Sequence, residues 1–151
     1  MIKLEKFLPY RLSVLTNQVS QGIARTYADR FGLSITEWRV VAILGRFDNI
    51  PASAVVVRSA MDKVAVSRAV RRLLEAGLIR RSEGLRDRRA KPLALTPAGR
   101  EVYEAIAPAA LAYEAKLRSA LTEEEQHSLD RVIDKLLAAV DQLHRQDVDR
   151  R

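Results

Sequence analysis

The residues of this chain whose types and spacing could do chemistry are arginines in two neighbouring groups. The first lies between Lys63 and Ala76, where Val66, Val70 and Leu73 recur at helical spacing. Advancing about 100° per residue from Val66, those three share one direction and pack inward. Val64, Arg68, Arg71 and Arg72 then point outward together, with Ala65 and Ser67 at the shoulders. Guanidinium groups on one helix face can pair bidentately with guanine or donate charge-assisted bonds to phosphate, and small shoulder residues let a helix N-terminus approach base edges. The plainer alternative is that Arg71 pairs with Glu75 one turn on and the others are solvated. The second group, Arg86-Asp87-Arg88-Arg89, sits in the polar stretch from Glu83 to Lys91. A hairpin tip built only to turn prefers Asn-Gly or Asp-Gly; this one offers guanidinium groups that could enter a narrow, electronegative minor groove.

Charge is concentrated around these groups. The 151 residues carry a net charge of +7, but residues 1–57, 58–100 and 101–151 carry +3, +8 and −4. A 43-residue basic stretch beside an acidic C-terminal third is the footprint of a polyanion-binding surface, nucleic acid first; a basic face kept for solubility is the alternative.

Other chemistries find little to work with. There is no cysteine, which excludes a thiol nucleophile, a disulfide framework and Cys-ligated metal. His127 and His144 stand 17 residues apart without a facing ligand pattern. Asp130 and Asp134 alternate with Arg131 and Lys135 as an ordinary salt-bridged face, and Glu123, Glu124 and Glu125 suit the positive end of a helix. With no nucleotide loop or nucleophile elbow, neither catalysis, a metal nor a cofactor is expected. No apolar run approaches membrane-spanning length, and Lys3 and Glu5 stand where a signal peptide needs its apolar core. A cytoplasmic protein with no membrane partner is the expectation.

These side chains need elements to hold them. Leu8, Leu12, Leu15, Val19 and Ile23 mark a long helix over about 6–30, ended by Gly32. Ser34-Ile35-Thr36-Glu37 has capping-box form and opens a helix to about Arg46. Residues 47–51 read as a turn and 52–60 as a short helix. Asp62 caps the helix bearing the first arginine group, and Gly77 stops it. Residues 78–82 and 92–95 then read as the two strands of a hairpin. Thr96-Pro97 opens a helix to about 121, in which Pro108 should produce a kink. Thr122 and Glu125 form a second capping box before a last amphipathic helix over about 123–145, fraying from about Gln146. The expected fold is mainly α: a winged helix-turn-helix core over 34–96, with helical arms at 6–30 and 97–145. The arms carry more apolar surface than so small a core can cover, including Leu8, Leu12, Leu117, Leu136, Val140 and Leu143, and a two-fold dimer is the expected use of it.

With those elements in order, the chain resembles the MarR-type winged-helix transcriptional regulators from about residue 7 to 143. The resemblance is carried by Met61 through Val70 with Arg72-Leu73 and Gly77-Leu78-Ile79, by Asp87-Arg88-Arg89, by Leu95-Thr96-Pro97-Ala98-Gly99, and by Ser34 through Trp38-Arg39. It implies a homodimer, acting as a repressor, that lays each Lys63–Ala76 helix in a major groove of double-stranded DNA at a palindromic operator. Ser67 and Arg68 match the family's helix positions for phosphate and base contacts. Arg89 would be the minor-groove arginine, with Asp87 orienting the wing. Ala65 departs from the family's usual Thr or Ser, and the absence of cysteine removes the thiol-oxidation switch of one branch. The resemblance also implies a small aromatic or anionic effector, for which Tyr10, Ser13, Trp38 and Tyr103 are candidates, Trp38 reading more readily as core. Two other readings stay open: a winged-helix protein–protein adaptor, and a small-molecule-binding helical dimer without DNA binding.

Overall fold

Where the sequence predicts one helix over 6–30, the chain forms three pieces. In a computed structural model that describes residues 1–82 and 91–149, a 3-10 turn at Leu4–Lys6 precedes α1 (Leu8–Ala24), and a turn leads into the short α2 (Ala28–Phe31). The break has a local cause. The Thr26 hydroxyl donates to the Ile23 carbonyl at 2.6 Å, where the backbone amide of Thr26 also donates at 3.0 Å, so this carbonyl serves a tight turn in place of the helix ladder. The turn delivers Tyr27 into the core, 1% exposed. Gly32 closes the segment at φ 64°, as its position suggests.

The remaining elements are α3 (Ile35–Arg46), α4 (Ala52–Ser59), α5 (Lys63–Glu75), β1 (Ile79–Arg81), β2 (Leu93–Leu95), α6 (Pro97–Arg118) and α7 (Glu123–Asp149). Both expected capping boxes form. Glu37 N–H donates to Ser34 Oγ at 3.1 Å and Ser34 N–H to Glu37 Oε2 at 3.2 Å. Glu125 N–H donates to Thr122 Oγ1 at 3.2 Å and Thr122 N–H to Glu125 Oε2 at 3.0 Å. Pro108 lies inside α6. The C-terminus corrects the expectation of fraying from Gln146: α7 continues to Asp149, since residues 146–149 contain neither Gly nor Pro to stop it.

The chain divides into two compact units, Met1–Leu111 and Ala112–Arg151. The first is a winged helix. Its core joins Val40, Val41 and Leu44 of α3 to Val55 of α4, to Val66, Ala69, Val70 and Leu73 of α5, and to Ile79, Leu93, Leu95 and Ile106. β1 and β2 pair antiparallel with Ile79 opposite Leu95 and Arg81 opposite Leu93. A third partner joins them where the sequence suggests only a turn: Leu93 N–H donates to the Ile50 carbonyl at 2.8 Å and Ile50 N–H to the Leu93 carbonyl at 3.2 Å.

The second unit holds the end of α6 and α7. Arg118 is its joint, donating to Glu114 Oε1 at 3.1 Å and to Asp130 Oδ1 at 2.9 Å. Gln126 Nε2 donates to the Arg118 carbonyl at 2.9 Å. The Arg118 hydrogen bond, helped by its charge and that of His127, holds the Asp130 carboxyl below its ordinary pKa. Along α7, Leu129, Val132, Ile133, Leu136, Val140 and Leu143 are all exposed.

Candidate nucleic-acid interface

The arginine-bearing helix is α5, and it is anchored at both ends. At its start the Asp62 carboxylate accepts from Ala65 N–H at 3.1 Å. Gly77, at φ 71°, ends it in a Schellman turn, with Leu78 N–H on the Leu73 carbonyl at 3.0 Å and Gly77 N–H on the Leu74 carbonyl at 3.1 Å. The turn before α5 is fixed too. Ala60 sits in the left-handed region at φ 52°, the Ser59 hydroxyl accepts from Met61 N–H at 3.2 Å, and Arg39 Nη1 donates to the Ser59 carbonyl at 3.2 Å.

With Val66, Ala69, Val70 and Leu73 buried, Val64, Ser67, Arg68, Arg71 and Arg72 are exposed and Ala65 is half-buried. The three arginines have different surroundings. Among the described residues Arg68 makes no ion pair. Arg71 Nε meets Glu75 Oε1 at 3.1 Å, both side chains largely in solvent, a contact worth only about 0.3–0.5 kcal/mol and readily exchanged for phosphate. Arg72 Nη1 instead reaches across to Glu37 Oε1 on α3 at 3.4 Å.

Arg86, Asp87, Arg88 and Arg89 lie outside the described residues; on either side of them β1 and β2 are tied together. Ser82 N–H donates to the Pro92 carbonyl at 2.8 Å and the Ser82 hydroxyl to Asn49 Oδ1 at 2.9 Å. Arg80 and Arg81 are exposed on β1.

The candidate effector residues separate. Trp38 lies between Tyr27, with ring centroids 5.6 Å apart, and Tyr103, stacked at 6.2 Å. Gly45 makes this possible: a Cβ there would stand 2.5 Å from the Tyr103 ring. Trp38 lines a cavity of about 220 Å³ between α1 and α3, with Ser20, Ile23, Tyr27, Ile35 and Arg39. Tyr103 is not in its wall, and Tyr10 and Ser13 are exposed on α1 away from it. Its polar groups include Ser20, which the sequence did not single out, and Arg39, which it named only among the residues carrying the family resemblance; Arg39 Nη2 donates to Ser20 Oγ at 3.5 Å. Burial raises the pKa of the Tyr27 phenol, an effect the nearby Arg39 charge opposes and the Glu37 charge reinforces.

Of the residues proposed from sequence for dimerisation, Leu8 and Leu12 are exposed on α1, Leu117 on α6, and Leu136, Val140 and Leu143 on α7. No residue of α1 is buried. No helix among the described residues is long and apolar enough to cross a membrane.

A sequence model of the MarR family matches residues 31–90, a span that begins at the end of α2 and takes in α3, α4, α5 and β1. Among solved structures, a MarR/EmrR family transcriptional regulator from Acinetobacter sp. ADP1 is 28% identical, with 93% of this chain and 99% of that chain covered and a TM-score of 0.84. A probable transcriptional regulator from Pseudomonas aeruginosa is 30% identical over 86% of this chain and 99% of that one, with a TM-score of 0.67. A MarR family protein from Listeria monocytogenes, solved with a 26-mer DNA, shares the fold at 18% identity and a TM-score of 0.80, with 89% of each chain covered. No curated protein matches the sequence.

Proposed function

Because this chain belongs to the MarR family of transcriptional regulators, we propose that it binds double-stranded DNA sequence-specifically as a homodimer and represses transcription from a roughly palindromic operator. The observation that carries this reading is the exposed face of α5, where Val64, Ser67, Arg68 and Arg71 stand in solvent on a helix capped at both ends and framed by the most basic stretch of the chain. A rigid helix with guanidinium groups on its outer face suits a major groove. In this reading Arg68 and Arg71 bond to phosphate or guanine, Val64, Ala65 and Ser67 lie closest to the base edges, and Arg89 enters the flanking minor groove beside Arg86 and Arg88, with Asp87 orienting the wing. The regulator solved with DNA, which shares this fold, supports the reading.

The homodimer is supported by two helices on which no described residue is fully buried: α1 with Leu8 and Leu12 exposed, and α7 with Leu136, Val140 and Leu143 exposed. Apolar stripes of this length are uncommon on a monomer's surface. Two-fold symmetry then places the half-sites about one helical turn apart, on the order of 34 Å. A small aromatic or anionic effector is supported by the cavity that joins the Trp38 and Tyr27 rings to the Arg39 guanidinium. It would regulate by binding one spacing of the two α5 helices more tightly than another. Selection from random duplexes with the purified protein tests the reading: enrichment of a two-fold-symmetric site is the expected result, and a selected pool no different from the input would refute it.

A further inference from the structure

We infer that Glu37 and Arg72 form a lock that sets the position of α5, so that Arg72 acts on DNA through Glu37 and not by touching it; this rests on the DNA-binding reading above. The Glu37 side chain is only 9% exposed, and its two oxygens are divided between two partners. Oε2 accepts from Ser34 N–H at 3.2 Å, closing the α3 capping box, and Oε1 accepts from Arg72 Nη1 at 3.4 Å. A buried carboxylate oxygen without a donor is costly, so Glu37 has a standing demand for the guanidinium that Arg72 supplies. The buried core that α3 and α5 share is aliphatic, with Val40, Val41 and Leu44 from α3 and Val66, Ala69, Val70 and Leu73 from α5. Such packing is non-directional, whereas the ion pair fixes how far α5 slides and turns against α3.

The contrast with Arg71 sharpens the division of work. The partner of Arg71, Glu75, is 64% exposed and lies on the same helix, so that pair holds α5 to nothing else and yields easily to phosphate. Two adjacent arginines, both turned outward and largely in solvent, thus have different tasks: Arg71 is free for the polyanion, and Arg72 is a positioning residue committed to Glu37.

The test uses the full chain with Glu37→Gln, Arg72→Ala and the double variant, the glutamine still accepting from Ser34 N–H as a capping box allows. Affinity for the duplex enriched by selection is measured across a range of salt. We expect each single variant to bind about 3- to 10-fold more weakly, the double variant to be no weaker than either, and the slope of log K on log salt to stay at the wild-type value. Arg71→Ala, by contrast, should flatten that slope by about one unit. The lock is overturned if Arg72→Ala flattens the slope, if Glu37→Gln tightens binding by releasing the guanidinium to DNA, or if the two losses multiply. Amide hydrogen exchange along α5 without DNA separates the two readings. Faster exchange in both single variants supports the lock even if no duplex is bound, and unchanged exchange in both overturns it.

Discussion

The Thr96 hydroxyl donates a 2.6 Å hydrogen bond to the carbonyl of Gly77, so the residue that opens α6 also holds the turn that ends α5. The same oxygen accepts from Gly99 N–H at 3.0 Å, capping α6. Gly99 has no room for a side chain, because a Cβ there would collide with the Leu78 carbonyl. α5 and the start of α6 are therefore joined by one side chain and one close backbone approach.

Thr96→Val keeps the shape of this side chain and removes both hydrogen bonds. We expect it to lower the free energy of unfolding by about 1–2 kcal/mol, read as a shift in the urea midpoint at constant slope, with Thr96→Ser close to wild type. A Thr96→Val midpoint equal to wild type would show that the two bonds add nothing.

Gly45→Ala sets two effects against each other. Alanine in a helix interior gains about 1 kcal/mol over glycine, but the new methyl would stand 2.5 Å from the Tyr103 ring, and overpacking costs about 1–3 kcal/mol. The clash should win, because Tyr103 can withdraw only by leaving its stack on Trp38. Trp38 is the sole tryptophan, so its fluorescence reports the displacement directly. A more stable variant with an unshifted spectrum would contradict this packing.

Asp130 should titrate below the ordinary carboxylate range, chiefly because Arg118 donates to it. A carboxyl with a depressed folded pKa contributes stability that is fully present above its unfolded value of about 3.9 and is lost as pH falls through the lower folded value. Side-chain carbon shifts followed by NMR should give a low midpoint in the wild type that rises in Arg118→Ala. Identical midpoints would mean that the ion pair does not persist in solution.

Leu136→Glu or Val140→Glu should break the dimer while leaving the first unit folded, since both residues are exposed on α7 and belong to no core within the chain. Sedimentation should give about twice the 17.0 kDa chain mass for the wild type and the single-chain mass for the variants. A monomeric wild type would remove the assignment of these faces to dimerisation.

Which features were legible in the sequence depended on how far apart the partners lie along the chain. Both capping boxes, the Asp62 cap and the Gly77 stop connect residues within about one helical turn, so residue types at fixed spacing disclose them. The Arg71 to Glu75 pair is of the same kind. The Ile50 to Leu93 bridge, the Arg39 to Ser59 bond and the Glu37 to Arg72 pair span 43, 20 and 35 residues, and a sequence read by local pattern has no access to them. For that reason Arg72, outward-facing like Arg71, carried no sign of a different task. The turn at Thr26 was hidden because the stripe through Ile23 runs straight into it, and no Gly or Pro lies between Gly22 and Gly32 to mark it. Ser20 escaped notice and Arg39 entered only through the family resemblance, since neither belongs to an apolar stripe or a charge cluster.

If the outer face of α5 neutralises phosphates at a specific site, the affinity for the selected duplex as a function of salt shows it most directly. Between about 50 and 200 mM salt it should fall on the order of a thousandfold. At any one salt concentration the selected duplex should bind on the order of a thousandfold more tightly than an unrelated one. Affinity that is insensitive to salt, or equal for the two duplexes, would contradict it.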